Sequence, residues 1–204
     1  MEAFSDGVFS VAATLLVFDL ALRPPGSPAE QLWHAWPAYL GYLISFLTIG
    51  AAWIAHSAMT DRLARADSLL LRINLLLLLC VAFLPFPTKL MADALHDTSG
   101  ERVFATLYGL TLLTIRLLGF ALDAYARREN LYAHVRADEE LQKARRDLLP
   151  VVAAYLIAIP IGLALPALAV AMYFAIAVVL VVPFRDLWLV FRHSGPTDHS
   201  DDHG

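Results

Sequence analysis

The chain has 204 residues, 59% hydrophobic and only 17% charged, with a mean hydropathy of +0.61; soluble domains hold about 45–50% apolar and about 25% charged residues, so an ordinary soluble domain is excluded and the sequence reads as an integral membrane protein. Lys plus Arg total 15 against 19 Asp plus Glu, a formal charge of −4, and the basic residues are scattered rather than gathered into a stripe, which gives no support to nucleic-acid binding. The single cysteine, Cys80, has no mate for an intrachain disulfide, a redox pair or a zinc knuckle.

At about 20 apolar residues per crossing the chain accommodates about six spans, expected near Phe4–Leu22, Ala38–Met59, Leu69–Met91, Val103–Asp123, Leu148–Leu165 and Ala167–Leu189. All are expected to be helical, because unpaired backbone is too costly in lipid. The last two share one long apolar stretch, divided here at Pro166 because a proline favours a break. The first span has no basic leader and no small-residue cleavage site and carries Asp6 and Asp19, so it reads as a retained span rather than a signal sequence.

Lysine and arginine set the orientation. Arg62, Arg65, Arg72, Arg127, Arg128, Arg136, Lys143, Arg145, Arg146, Arg185 and Arg192 fall on the side of both termini, against Arg23, Lys89 and Arg102 on the other. Both ends are therefore expected in the cytoplasm, with Trp33, Trp36, Tyr39 and Tyr42 at the outer interface and Trp188 at the inner one. The connection 124–147 mixes acids with bases and reads as a solvated helix within a membrane-spanning domain 1–192, and the polar residues 193–204 read as a disordered tail.

The first span places Ser5, Asp6, Ser10, Thr14 and Asp19 in one crossing. Ionisable groups in a bilayer face a bundle interior or water, which makes this helix central. On a wheel of 100° per residue Val11, Leu15, Phe18 and Leu22 form a narrow apolar stripe, flanked by Thr14 and Val8, while Ser5 and Asp6 point away toward neighbouring helices.

Phe4-Ser5-Asp6 followed by Thr14-Leu15-Leu16, then Trp53-Ile54-Ala55-His56, then Asn74 with Pro85-Phe86-Pro87-Thr88, resembles the prokaryotic branch of the transmembrane protein 175 potassium-channel family. The match is close over the first three spans and one of layout over the rest. The resemblance implies an all-α homotetramer of six-span subunits in the inner (plasma) membrane, whose first helices line a cation pore passing K+ and other monovalent cations. It also implies a hydrophobic constriction in place of a carbonyl filter, carried onto Val11, Leu15 and Phe18, with Thr14 at the position tied to selectivity. An apolar ring gates by dewetting, and a narrow throat dehydrates potassium more cheaply than sodium. Thr14 is expected to bond the carbonyl of Ser10 or Val11, or to face pore water. Two departures stand out: the arginine that usually lies four residues before the phenylalanine would precede Met1, and Val11 is smaller, Phe18 larger, than the usual side chains. These changes imply a wider first ring and a possible narrowest point at Phe18.

His56 and Asn74 read as interhelical hydrogen bonders, His56 toward Ser5 or Asp6. Arg116 and Asp123 lie two turns apart, too far for an i,i+4 pair, so Arg116 is expected to pair across helices, with Asp19 as a candidate, or to snorkel. Two other classes compete. An intramembrane hydrolase using Ser5 or Ser57, His56 and Asp6 lacks a Gly-x-Ser-x-Gly elbow, and Ser57 projects about 100° from His56. A secondary transporter or proton-coupled cation exchanger would use Asp6, His56 and Arg116, with Pro85, Pro87, Pro160 and Pro166 hinting at interrupted helices. No cofactor fingerprint occurs.

Overall fold

The computed structural model describes residues 1–20, 27–95, 100–133 and 137–182, and these form an all-helical bundle. Helix α1 (Glu2–Leu15) passes directly into a 3-10 turn, Leu16–Leu20. The short α2 (Pro28–His34) begins with a capping box, in which Ser27 Oγ accepts from Glu30 N and Glu30 accepts from Ser27 N, with Pro28 at the first helical position. It leads into α3 (Trp36–Thr60). Helix α4 (Ser68–Phe83) is capped by Asp67, whose carboxylate accepts from Leu70 N at 2.8 Å.

The expected third span is not one helix. Pro85 lacks the N–H that would close the next turn, and the Leu84 N–H donates to Val81 O instead, a tighter bond that ends α4. Helix α5 (Pro85–Ala94) restarts at the proline. Helix α6 (Glu101–Arg128) follows Gly100, whose φ of 97° is left-handed. Helix α7 (Ala137–Ala164) runs unbroken through Pro150 and Pro160, so the solvated helix expected in 124–147 is continuous at its end with the fifth apolar segment. The break between the last two segments falls where expected: Leu165 leaves the helical region at φ −133°, ψ 77°, and α8 (Pro166–Val181) begins at the proline.

Among the described residues, three stretches are long and apolar enough to cross a membrane, Trp36–Thr60, Ser68–Ala94 and Glu101–Arg128, with Leu148–Ala164 and Pro166–Val181 shorter apolar helices. The first segment differs from its expectation, since the α-helix stops at Leu15. Leu22, Arg23, Arg136, Arg185, Trp188, Arg192 and the tail 193–204 lie outside the described residues.

Helix α1 packs on α3 and α4; α3 also meets α5 and α8, and α6 meets α4, α5 and α7, which pairs with α8. The centre holds three fully buried tyrosines, Tyr108, Tyr155 and Tyr173. Tyr173 stands edge-on to Tyr108, with ring centroids 5.9 Å apart. Its hydroxyl donates to Ala105 O at 3.3 Å. Gly109 allows this approach, because a Cβ there would collide with the Tyr173 ring and hydroxyl. Between α3 and α5, the Ser45 hydroxyl bonds both Thr88 and Tyr108 at 2.7 Å, satisfying buried polar groups.

Candidate functional site: the first helix and its polar anchor

One face of α1 is buried and the opposite face is open. Ser5, Phe9, Ala12 and Leu16 are buried against α3 and α4. Val11 at 57%, Leu15 at 43% and Phe18 at 75% remain exposed, as does Thr14. Val11 to Leu15 is an α-helical i+4 step. Leu15 to Phe18 is an i+3 step taken as the backbone tightens toward three residues per turn. The change of helix type therefore keeps the three side chains in one line. The Thr14 hydroxyl donates to Val11 O at 2.9 Å, one of its two expected backbone acceptors.

The buried face is tied down by a directional hydrogen-bond chain. Asn74 Nδ2 on α4 donates to Ser5 Oγ at 3.1 Å, and Ser5 in turn donates to Met1 O at 3.1 Å. With its amide committed as a donor, Asn74 presents Oδ1 to His56 Nε2 on α3 at 2.8 Å. His56 thus reaches Ser5 through Asn74, rather than bonding Ser5 or Asp6 directly as the sequence suggested. Its ring packs on Phe9, centroids 5.5 Å apart, a contact the sequence gave no sign of. Asp6 has a different partner: Oδ1 accepts from Trp53 Nε1 at 2.9 Å. Ser5, Asp6, Trp53, His56 and Asn74 are thereby brought together around α1, while Phe4 lies exposed on the open face. The imidazole contacts Asn74 and Phe9, and no hydrogen bond to a serine is seen among the described residues.

At the end of the bundle bearing Thr60 and Arg128, a second polar cluster joins two connections. Asp123 accepts from Arg127 Nε at 2.8 Å and from Nη2 at 3.1 Å, and from the Tyr132 hydroxyl. The Tyr132 ring lies between Arg62 and Arg127, 5.5 and 5.3 Å from its centroid. Ala64 N donates to Leu131 O and Ala133 N to Arg62 O, forming an isolated antiparallel bridge. Asp123 thus pairs at i+4 with Arg127, a spacing visible in the sequence. Arg116 lines a cavity on the α3 side of α6, and the Asp19 side chain, its candidate partner, is outside the described structure.

The structure is that of a multi-pass helical membrane protein whose first helix is held by buried polar bonds on one face and exposed and apolar on the other. Residues 1–85 match the family described as the endosomal/lysosomal potassium channel TMEM175. The chain is 37% identical over 150 residues to a potassium channel of Streptomyces collinus, covering 72% of each. It is 36% identical over 144 residues to a potassium channel of Chamaesiphon minutus, covering 68% of this chain and 70% of that one. The crystal structure of a lysosomal potassium-selective channel TMEM175 homolog from Chamaesiphon minutus superposes with a TM-score of 0.70 at 30% identity, covering 95% of this chain and 96% of that one. The chain belongs to the TMEM175 family, a family of ion channels rather than enzymes.

Proposed function

We propose that the protein is a potassium-permeable, leak-like cation channel of the inner membrane. It assembles as a homotetramer of six-span subunits with both termini cytoplasmic, and the open face of α1 lines the axis. Val11, Leu15 and Phe18 form stacked apolar constrictions that gate by dewetting, and Thr14 tunes selectivity beside them. Family membership and the potassium channels among the relatives support K+ as the permeant ion. The observation that carries the pore assignment is the exposure of Val11, Leu15 and Phe18 in one line on a helix whose other face is buried and polar-bonded.

Flux from liposomes under opposed potassium and sodium gradients tests this. Val11→Asn and Leu15→Asn hydrate the proposed throat. Potassium-favouring flux that rises or loses selectivity in these variants is expected. Wild-type flux that saturates and follows a proton gradient would instead indicate a carrier, and wild-type potassium flux indifferent to both substitutions would move the pore off α1.

A further inference from the structure

A groove of about 420 Å³ opens on the flank of α1, between that helix and α3. Its lining runs along α1 from Asp6 to Ala13 and along α3 from Trp53 back to Phe46, about 10 Å on each helix at 1.5 Å per residue. The hydrogen bond between Asp6 and Trp53 marks its charged end. Gly50 lies between the two aromatic residues on α3, and a Cβ there would meet nothing within 4 Å. Buried Phe9 and Ile49 close the groove underneath.

Among the described lining residues Asp6 is the sole charged one, and no basic group faces it across the groove. Its partner is neutral: the Trp53 indole donates to Oδ1, and Oδ2 accepts nothing among the described residues. A carboxylate beside apolar walls is costly without a counter-charge. The walls suit one class of cation. Phe46 and Trp53 are exposed, and both rings are held in advance, Phe46 by stacking on Tyr42 with centroids 5.7 Å apart and Trp53 by its bond to Asp6. Aromatic walls with one carboxylate attract an organic ammonium through charge and cation–π contact. An alkali ion would have to trade its hydration shell for a single carboxylate, with no ring of carbonyls to replace the lost water.

We propose that this groove binds an organic ammonium ion with a compact apolar body, its charged head against Asp6 Oδ2 beside Trp53 and its body over Gly50 toward Phe46. Head and body thus take opposite ends of the groove. An occupant bridges α1 and α3, and the lining leaves out Val11, Leu15 and Phe18, so the site stands whether or not α1 lines an ion path.

Equilibrium dialysis of the full chain in detergent against radiolabelled benzyltrimethylammonium, with protein-free micelles as the blank, tests it. Saturable binding is expected. Neopentylbenzene, the same shape without the charge, should not displace the label at equal concentration, and neither should potassium chloride or phosphatidylethanolamine, whose acyl chains outrun the groove. Asp6→Asn, whose amide oxygen can still accept from Trp53, and Gly50→Leu, which fills the open space over the glycine, should each weaken binding about tenfold with unchanged Tm. Leu15→Asn, on the apolar line, should leave binding as it was. An absence of saturable binding would give the groove to a neighbouring copy or to lipid and overturn the assignment. Displacement by any of the three competitors as effective as by unlabelled ammonium, binding untouched by both groove variants, or a loss confined to Leu15→Asn would overturn it as well.

Discussion

Asn74 decides how α1 is held, since its two amide atoms serve different helices: Nδ2 to Ser5 and Oδ1 to His56. Replacing one member would leave the others buried without a partner, at a cost of about 1–3 kcal/mol each. Asp67 does a comparable task outside the membrane. Its carboxylate accepts from the Leu70 backbone and the Tyr125 hydroxyl, which holds its pKa below the ordinary 3.8. A depressed folded pKa contributes stability above the unfolded value and loses it as pH falls through the folded one. Asp67→Asn should therefore lower Tm at neutral pH, and the gap to the wild type should close below about pH 4. A gap independent of pH in detergent melts would show that the charge plays no part. Ser5, Asp6, His56 and Asn74 stood out in the sequence because polar groups in apolar spans need partners, whereas Trp53 entered only through the family resemblance and its bond to Asp6 had no sequence signal. Which bonds which was not, because that depends on the rotation of three helices about their own axes. Tyr132 was missed for another reason: it sits in a connection, and nothing local marks it as a ring held between two arginines.

Prolines in this chain act according to context rather than identity. Pro85 ends α4 and Pro166 opens α8, while Pro150 and Pro160 stay inside α7. The Pro166 break was legible from the length of the apolar run, whereas the interruption at Pro85 was one of several hints of equal weight. The passage of α1 into a 3-10 turn had no sequence signal, for Leu16–Leu20 contains neither glycine nor proline; within it Leu16 is buried while Val17 and Phe18 are exposed. At the other end of the bundle, the bridge between residues 62–64 and 131–133 staples the α3–α4 connection to the end of α6. Asp123, Arg127 and Arg62 converge on Tyr132 there, so Tyr132→Ala removes the shared element of one hydrogen bond and two cation–π contacts, each worth about 0.5–2 kcal/mol. Amide exchange at Ala64 and Ala133 should then speed up at least tenfold, with the amides of the α1 network unchanged. Equal protection in the variant would mean that the backbone bridge stands without the ring.

At the scale of the whole molecule, α1 poses a problem a single chain does not solve. A helix with Ser5 and Asp6 bonded inward and Val11, Leu15 and Phe18 turned outward has its polar side satisfied and its apolar side uncovered. A heptad-like line of this kind encloses nothing alone, but four copies around an axis would enclose a throat whose width is set by the side chains. Cys80 is the sole cysteine, so a Cys80→Ser background leaves the chain without thiols and lets one be placed at will. In that background Leu15→Cys should form disulfide-linked dimers under mild oxidation in membranes, since the proposed symmetry brings copies of this position together, whereas Ala12→Cys, on the buried face, should stay monomeric. The detergent-corrected mass of the uncrosslinked complex should correspond to about four chains of 22.5 kDa. Dimers from Ala12→Cys but not Leu15→Cys would invert the helix face toward the axis, and a monomeric mass would leave the apolar line to lipid and remove the pore with it.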